Sequence, residues 1–262
     1  MDALATLFSL AGRTALVTGG TRGIGAAMAV ALAEAGADIV LVQRDPANDA
    51  TKRQIEALGR KVSVYKADLS RKEDVSGLVA RVLADGHDVD ILLNCAGIQR
   101  RHPSHVFPDG EWDEVLQTNL TAVFTLCRDV GAYMLSRPPD PVSHLRGTII
   151  NIASLTSFQG GITVPAYAAA KGGVAQLTKA LSNEWAGRGV TVNAVAPGYV
   201  ATEMNAALLE DEERKRAILE RIPAGRWGTP GDFRGVVVWL AGRGAAYVSG
   251  QVVTVDGGWM GR

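Results

Sequence analysis

The chain has 262 residues, 47% hydrophobic and 21% charged, enough for one well-packed core at the upper end of single-domain size. Its 27 basic and 27 acidic residues cancel, which leaves no basic field for nucleic acid and no polybasic surface for a membrane. No apolar run approaches the roughly 18 residues of a membrane span, so the expected partner is a small molecule.

The opening MDALATLFSL lacks a basic n-region and a cleavage site, so no targeting signal is expected, and it runs directly into a first strand, TALVTG. A helix over 23–35 follows, then strand ADIVLV and a helix over 47–58, strand KVSVYKA and a helix over 72–84, and strand VDILLNCAG with a long helix over 111–135. The Pro-rich RPPDPVSHLRG at 137–147 reads as a surface loop. Strand GTIINIAS, a helix over 166–187, strand VTVNAVAPG, helical stretches over 204–220 and 230–241, and a last strand QVVTV complete the chain. Near-continuous apolar strands alternating with helices predict a parallel sheet of about seven strands covered on both faces. The fold class is therefore a Rossmann-like, doubly wound α/β domain, and no linker or repeat divides residues 1–262. Cys95 and Cys127 have neither metal nor redox spacing, which fits buried thiols in a reducing, cytoplasmic setting.

TGGTRGIG, Thr18 to Gly25, lies between the first strand and the first helix, where a dinucleotide fingerprint belongs. Glycines there allow a tight turn and let backbone amides at a helix N-terminus approach a pyrophosphate. Their spacing, Gly19-x-x-x-Gly23-x-Gly25, departs from the commoner Gly-x-Gly-x-x-Gly. In AYAAAKGG, Tyr167 and Lys171 stand four positions apart and share a helix face. A phenol is a poor base near neutral pH, and a cation on the same face favours the phenolate, so Lys171 is expected to tune Tyr167. His102 and His105 flank Pro103 with no third ligand evident, and no metal is expected.

TGGTRGIG, NCAG after the fourth strand, Ser154 with Tyr167-x-x-x-Lys171, and PGYVAT together resemble the short-chain dehydrogenase/reductase family over essentially the whole chain. The resemblance implies an NAD(P)-dependent oxidoreductase with a catalytic set of Asn119, Ser154, Tyr167 and Lys171. Tyr167 would move the proton, Ser154 polarise the substrate carbonyl, Lys171 bond the nicotinamide ribose, and Asn119 support a water and the proton relay. It also implies cofactor contacts at Gly19, Thr21, Arg22, Gly23, Ile24 and Gly25, at Asp68 and Leu69 for adenine, and at Asn94, Ala96 and Gly97 beside the adenosine ribose. Pro197, Gly198, Val200 and Thr202 match the segment that holds the carboxamide. Cys95 stands where the family usually has asparagine. A homotetramer is the family expectation; apolar surplus on the helices over 111–135 and 166–187, and a free Trp259-Met260 end, are read as its support.

GIQRR, NIASLTSFQGGITVPAY and IPAGRWG resemble the branch acting on 2-deoxygluconate and 2-keto-3-deoxygluconate. Arg100 and Arg101, beyond the fourth strand, are both candidates to grip a sugar-acid carboxylate. Gluconate-type keto acids, acyl-carrier ketones and xenobiotic carbonyls are the alternative substrates, and a non-catalytic dinucleotide-binding regulator is the alternative of another class. At the end of the second strand, neutral Gln43 occupies the position of an NAD-selecting carboxylate and Arg44 follows it, so with Arg22 the reading favours NADP over NAD. Asp45 would instead take the ribose hydroxyls if the strand ran further.

Overall fold

The computed structural model describes residues 3–262. Seven parallel strands form one sheet in the order β3-β2-β1-β4-β5-β6-β7. They are β1 Thr14–Thr18, β2 Asp38–Gln43, β3 Val62–Lys66, β4 Ile91–Asn94, β5 Gly147–Ile152, β6 Val190–Pro197 and β7 Val252–Val255. Alternation along the strands divides their side chains between two apolar layers. Ala15, Val17, Ile39, Leu41, Ile91 and Leu93 face one layer, with Met28, Leu32, Val237 and Leu240; Leu16, Val40, Leu92 and Ile149 face the other, with Leu126, Val130, Val174 and Trp185. The first layer belongs to α2 (Gly23–Glu34), α3 (Ala50–Ala57) and α11 (Arg234–Ala241), the second to α5 (Leu78–Ala84), α7 (Ala122–Ser136) and α8 (Pro165–Trp185). Burying each such side chain contributes about 1.5–3 kcal/mol, which fixes the strand order and therefore the site.

The helices depart from expectation in informative places. An N-terminal helix, α1 (Ala3–Phe8), precedes β1, where the sequence reading ran straight into the strand. Gly77, left-handed at φ 72°, splits the predicted 72–84 helix into α4 (Lys72–Val75) and α5. The predicted 111–135 helix is α6 (Asp109–Leu116) and α7, joined by one π-helical turn over Gln117–Thr121. The predicted 204–220 helix is two short ones, α9 (Ala206–Glu210) and α10 (Glu212–Leu219). Trp259 is not a free apolar end: it is 5% exposed and packs with Leu155 and Ile222 against Tyr199, Ile218 and Met260 of its own chain. Among the described residues, no helix is long and apolar enough to cross a membrane.

Candidate active site

The sheet changes direction of winding between β1 and β4, and a crevice opens there at the C-terminal strand ends. Gly19 (φ 68°) closes its floor: a Cβ at this position would lie 2.6 Å from the backbone of Ala96, so the turns after β1 and β4 touch main chain to main chain. At Gly25 a Cβ would fall 2.1 Å from the Gly19 carbonyl oxygen. No side chain caps α2, whose preceding residue Arg22 is extended, so the first amides of Gly23, Ile24 and Gly25 remain available to an anion. Thr202 faces Gly23 across the cleft, its Cγ2 3.6 Å from where a Gly23 Cβ would stand. The donor set and the space kept clear of side chains both fit the pyrophosphate of a dinucleotide.

Four side chains predicted to be catalytic converge beside this turn. Asn119 is fully buried within the π turn, where its Oδ1 accepts from the Ile98 amide at 2.9 Å and its Nδ2 donates to the Ile98 carbonyl at 2.7 Å. The wider turn gives up an ordinary helical bond and swings the amide toward the loop after β4. Lys171, 3% exposed, donates to the Ile152 carbonyl at 2.6 Å, and its Nζ sits 5.6 Å from the Tyr167 ring centre. A Cβ at Gly97 would come within 3.2 Å of Asn119 Oδ1 and 3.9 Å of Lys171 Nζ, so Gly97 keeps open the space between them. Ser154, extended at the end of the β5 segment, shares a hydrogen bond with the Tyr167 phenol and opens a short turn that Ser157 locks by donating to the Lys171 carbonyl at 2.7 Å.

The electrostatics correct one expectation. Burial pushes the Tyr167 phenol up to about 12, opposed by the Ser154 hydrogen bond and the Arg101 charge; Lys171 is not among the groups that pull it down. Its ammonium lies over the ring and donates to the Ile152 carbonyl. Burial also lowers Lys171, to about 8.

The remaining positions divide into backbone and side-chain contributors. Asn94 turns inward, donating to Asn151 Oδ1 at 2.9 Å, and Asn151 donates to Thr178 at 3.0 Å, so only the main chain of Asn94 faces the crevice. The side chains of Leu69 and Val200 are buried in the two apolar layers, which likewise leaves main chain for a ligand. Asp68 holds Ser70 through its amide and hydroxyl. Gly198 needs its missing side chain, since a Cβ would sit 2.6 Å from Asp256, while Pro197 ends β6 opposite Val255. Thr21, Ile24, Ala96 and Gly97 are half-buried along the cleft.

At the cofactor end β2 stops at Gln43, and the Gln43 amide bonds back to the carbonyls of Asp45 and Asn48 at 2.9 and 3.0 Å. Asp45 is an exposed turn residue that caps the Ala47 amide, and Arg44 is exposed within electrostatic reach of Asp68. Arg22 pairs with Glu203, both largely exposed. At the other end the two arginines part. Arg100 pairs with Glu114 at 2.9 Å and approaches Glu111, whereas Arg101 donates to Gln99 Oε1 at 2.8 Å. Partial burial lowers Arg101 first, then Arg214; Tyr199 and Tyr167 act the other way. His102 bonds Glu111 at 2.9 Å and sets its ring edge on Phe107. Among the described residues no group of three His, Cys, Asp or Glu is placed to hold a metal ion.

A family model for short chain dehydrogenase matches residues 13–213. The chain belongs to the short chain dehydrogenase family. It is 50% identical over 257 residues to a 2-dehydro-3-deoxy-D-gluconate 5-dehydrogenase of Pseudoalteromonas atlantica, covering 97% of this chain and 98% of that one. The Bacillus subtilis protein of the same name is 46% identical over the full length of both. The crystal structure of a Burkholderia cenocepacia gluconate 5-dehydrogenase in complex with NADP and tartrate superposes with a TM-score of 0.92 at 37% identity, covering 99% of each chain.

Several residues of this short chain dehydrogenase site were invisible in sequence. Arg214, whose charge acts on Arg101, lies in an acidic and basic run, EDEERKR, that reads as a solvated helix face. Tyr199 and Gln99 fall within PGYVAT and GIQRR but carry no pattern of their own. Ser157 had a signal, since Ser154-x-x-Ser157 is a short capping pattern, and the structure completes it.

Proposed function

We propose that this single-domain chain, residues 1–262, interconverts a secondary alcohol and a ketone of a sugar acid, of the gluconate or 2-dehydro-3-deoxygluconate class, with NADP(H). The observation carrying the reading is the meeting of Ser154, Tyr167, Lys171 and Asn119 beside an uncapped helix N-terminus. The names of the relatives supply the substrate class. The nicotinamide supplies hydride acceptance and donation: in oxidation the carbinol carbon gives up its hydrogen with both bonding electrons. The hydroxyl proton goes to Tyr167 after the phenol has released its own proton to the relay, so alcohol and oxidised cofactor become ketone, reduced cofactor and one proton. Ser154 donates to the substrate oxygen as its charge develops, Lys171 supplies a donor for the ribose, and Asn119 anchors the relay to the loop after β4. Arg101 is the carboxylate-binding arginine, because Arg100 is held by Glu114.

NADP selection rests on Gln43, Arg44 and Arg22, with no carboxylate at the end of β2 to repel a 2′-phosphate. Arg22 must leave Glu203 to reach it, and an exposed pair of that kind costs only about 0–1 kcal/mol to break. A cytoplasmic homotetramer accompanies this reading; Phe124 on α7, 43% exposed, is suited to a neighbour, and light scattering at micromolar concentration checks it. The function is tested by following reduced-cofactor absorbance while sugar acids and their keto forms are offered with each nicotinamide. Turnover of sugar acids, at least about tenfold better in kcat/KM with NADP(H), is expected from two charge-assisted contacts. A tenfold advantage for NAD would shift the ribose contact to Asp45, and turnover of uncharged ketones alone would overturn the substrate class.

A further inference from the structure

Between β4 and the short turn at Ser104–Val106 the chain has no regular structure, and the partners of its side chains alternate. Gln99 and Arg101 hold each other, with Arg101 donating to Gln99 Oε1 at 2.8 Å. Arg100 and His102 both reach α6 instead. There Glu111 and Glu114 stand three positions apart and so share one helix face. Arg100 takes Glu114 at 2.9 Å and lies 3.8 Å from Glu111, while His102 Nε2 bonds Glu111 Oε2 at 2.9 Å. The His102 ring meets Phe107 edge-on with centres 5.4 Å apart, and Phe107 meets Trp112 of α6 in the same way at 6.4 Å. The main chain of His102 is held as well: its amide donates to the Thr163 carbonyl at 3.0 Å. Thr163 has φ 63°, a left-handed conformation that a β-branched residue keeps only where its surroundings impose it. Val164 then opens α8, which carries Tyr167.

We propose that His102 is a positioning residue, whose ring and amide tie the loop after β4 to Glu111 and to Thr163 and so aim Arg101 at the substrate carboxylate beside Tyr167. The inference rests on the sugar-acid reading above and extends it to a residue that touches neither substrate nor cofactor. Arg101 is exposed and has one neutral side-chain partner, so on a loose loop it would lose much rotamer freedom on gripping an anion. Anchoring the residues on both sides of it removes the backbone part of that cost before substrate arrives. Arg100 cannot take over, because its guanidinium is committed to the acids of α6. The link to Thr163 sets Arg101 and Tyr167 on one frame, which fixes the distance between the carboxylate and the reacting carbon. His102 and Glu111 are each about one-third exposed, so the ring contact is worth at most about fivefold in affinity.

The test separates KM from kcat. With D-gluconate or 2-dehydro-3-deoxy-D-gluconate, whichever the wild type turns over, His102→Ala should raise KM about fivefold and leave kcat within about twofold. The KM for an uncharged ketone should move less than about twofold. His102→Gln, whose amide nitrogen stands about where the ring Nε2 does, should recover most of the loss, and His102→Leu, which keeps only apolar bulk against Phe107, should not. Glu111→Ala reads the same bond from its other end and should give the same acid-selective rise. In an Arg101→Gln background, His102→Ala should add less than about twofold, because it acts through Arg101. The Kd of the same acid for the protein with NADPH, a pair that cannot react, should follow KM in calorimetry. Equal losses on charged and uncharged substrates, a full further loss in the Arg101→Gln background, or no recovery in His102→Gln overturns the positioning role. An unchanged sugar-acid KM in His102→Ala overturns it and leaves the sugar-acid reading standing; a wild type that neither turns over nor binds either acid overturns both.

Discussion

The floor and the rim of the cleft are built on opposite physical terms. On the floor, Asn119 and Lys171 are almost wholly buried, and each polar group is held by main-chain atoms at 2.6 to 2.9 Å. On the rim, Arg22, Arg44 and Arg101 are exposed, and Arg22 pairs with the exposed Glu203 while Arg101 donates to Gln99. A buried group that loses its partner costs about 1–3 kcal/mol or more, whereas an exposed pair is worth about 0–1 kcal/mol. The floor therefore keeps one geometry and one chemistry, and the rim can change substrate and cofactor with little effect on the fold.

The contrast breaks most visibly at Tyr167. Tyr167→Phe should lower kcat at least about 100-fold on every substrate, a loss near 2.7 kcal/mol or more in transition-state stabilisation, while NADP(H) still raises the melting temperature. A variant retaining more than about a tenth of wild-type kcat removes the phenol from the proton step. Lys171→Ala should come next, weakening both cofactor binding and rate in stopped-flow and steady-state assays.

The pH dependence sharpens the same point. Lys171, lowered to about 8 by burial, is charged below that pH and neutral above it, while the phenol holds its proton up to about 12. Carbonyl reduction needs both protons in place, so kcat/KM, which reports the free protein, should be level on the acid side and fall as pH rises through about 8. Lys171→Arg should move that fall to higher pH; an unmoved profile would assign it to another group.

Rim changes should be smaller and selective. Arg101→Ala should cost a sugar acid about 1.5–3 kcal/mol in kcat/KM, the range for hydrogen bonds to charged groups, and an uncharged ketone far less. The double change Gln43→Asp with Arg44→Leu should invert an NADP preference of about tenfold, because it adds a repulsive charge as it removes an attractive one. Melting temperatures of both rim variants should stay near wild type.

The sequence carried the floor better than the rim. Seven apolar strands announced themselves by composition, and the Tyr167 and Lys171 spacing named its own helix face. Periodicity could not reveal that the helix holding Asn119 widens to a π turn, because i to i+4 and i to i+5 bonding share nearly the same apolar pattern over five residues. Gly77 was legible as a residue but not as a left-handed break, which depends on how α4 and α5 meet the sheet. Trp259 was misplaced because its partners Leu155 and Ile222 are far away along the chain. The split between Arg100 and Arg101 likewise required Glu114 to be placed in space.

The most direct test of this division sets one floor variant against one rim variant in a single assay. Steady-state kcat/KM is measured for Tyr167→Phe and Arg101→Gln with a sugar acid and with an uncharged ketone, each with NADP(H). Tyr167→Phe should lose the same large factor on both substrates, and Arg101→Gln should lose about tenfold or more on the acid alone. A Tyr167→Phe loss confined to the acid, or an Arg101→Gln loss shared equally by both substrates, would contradict the separation of chemistry in the floor from selection at the rim.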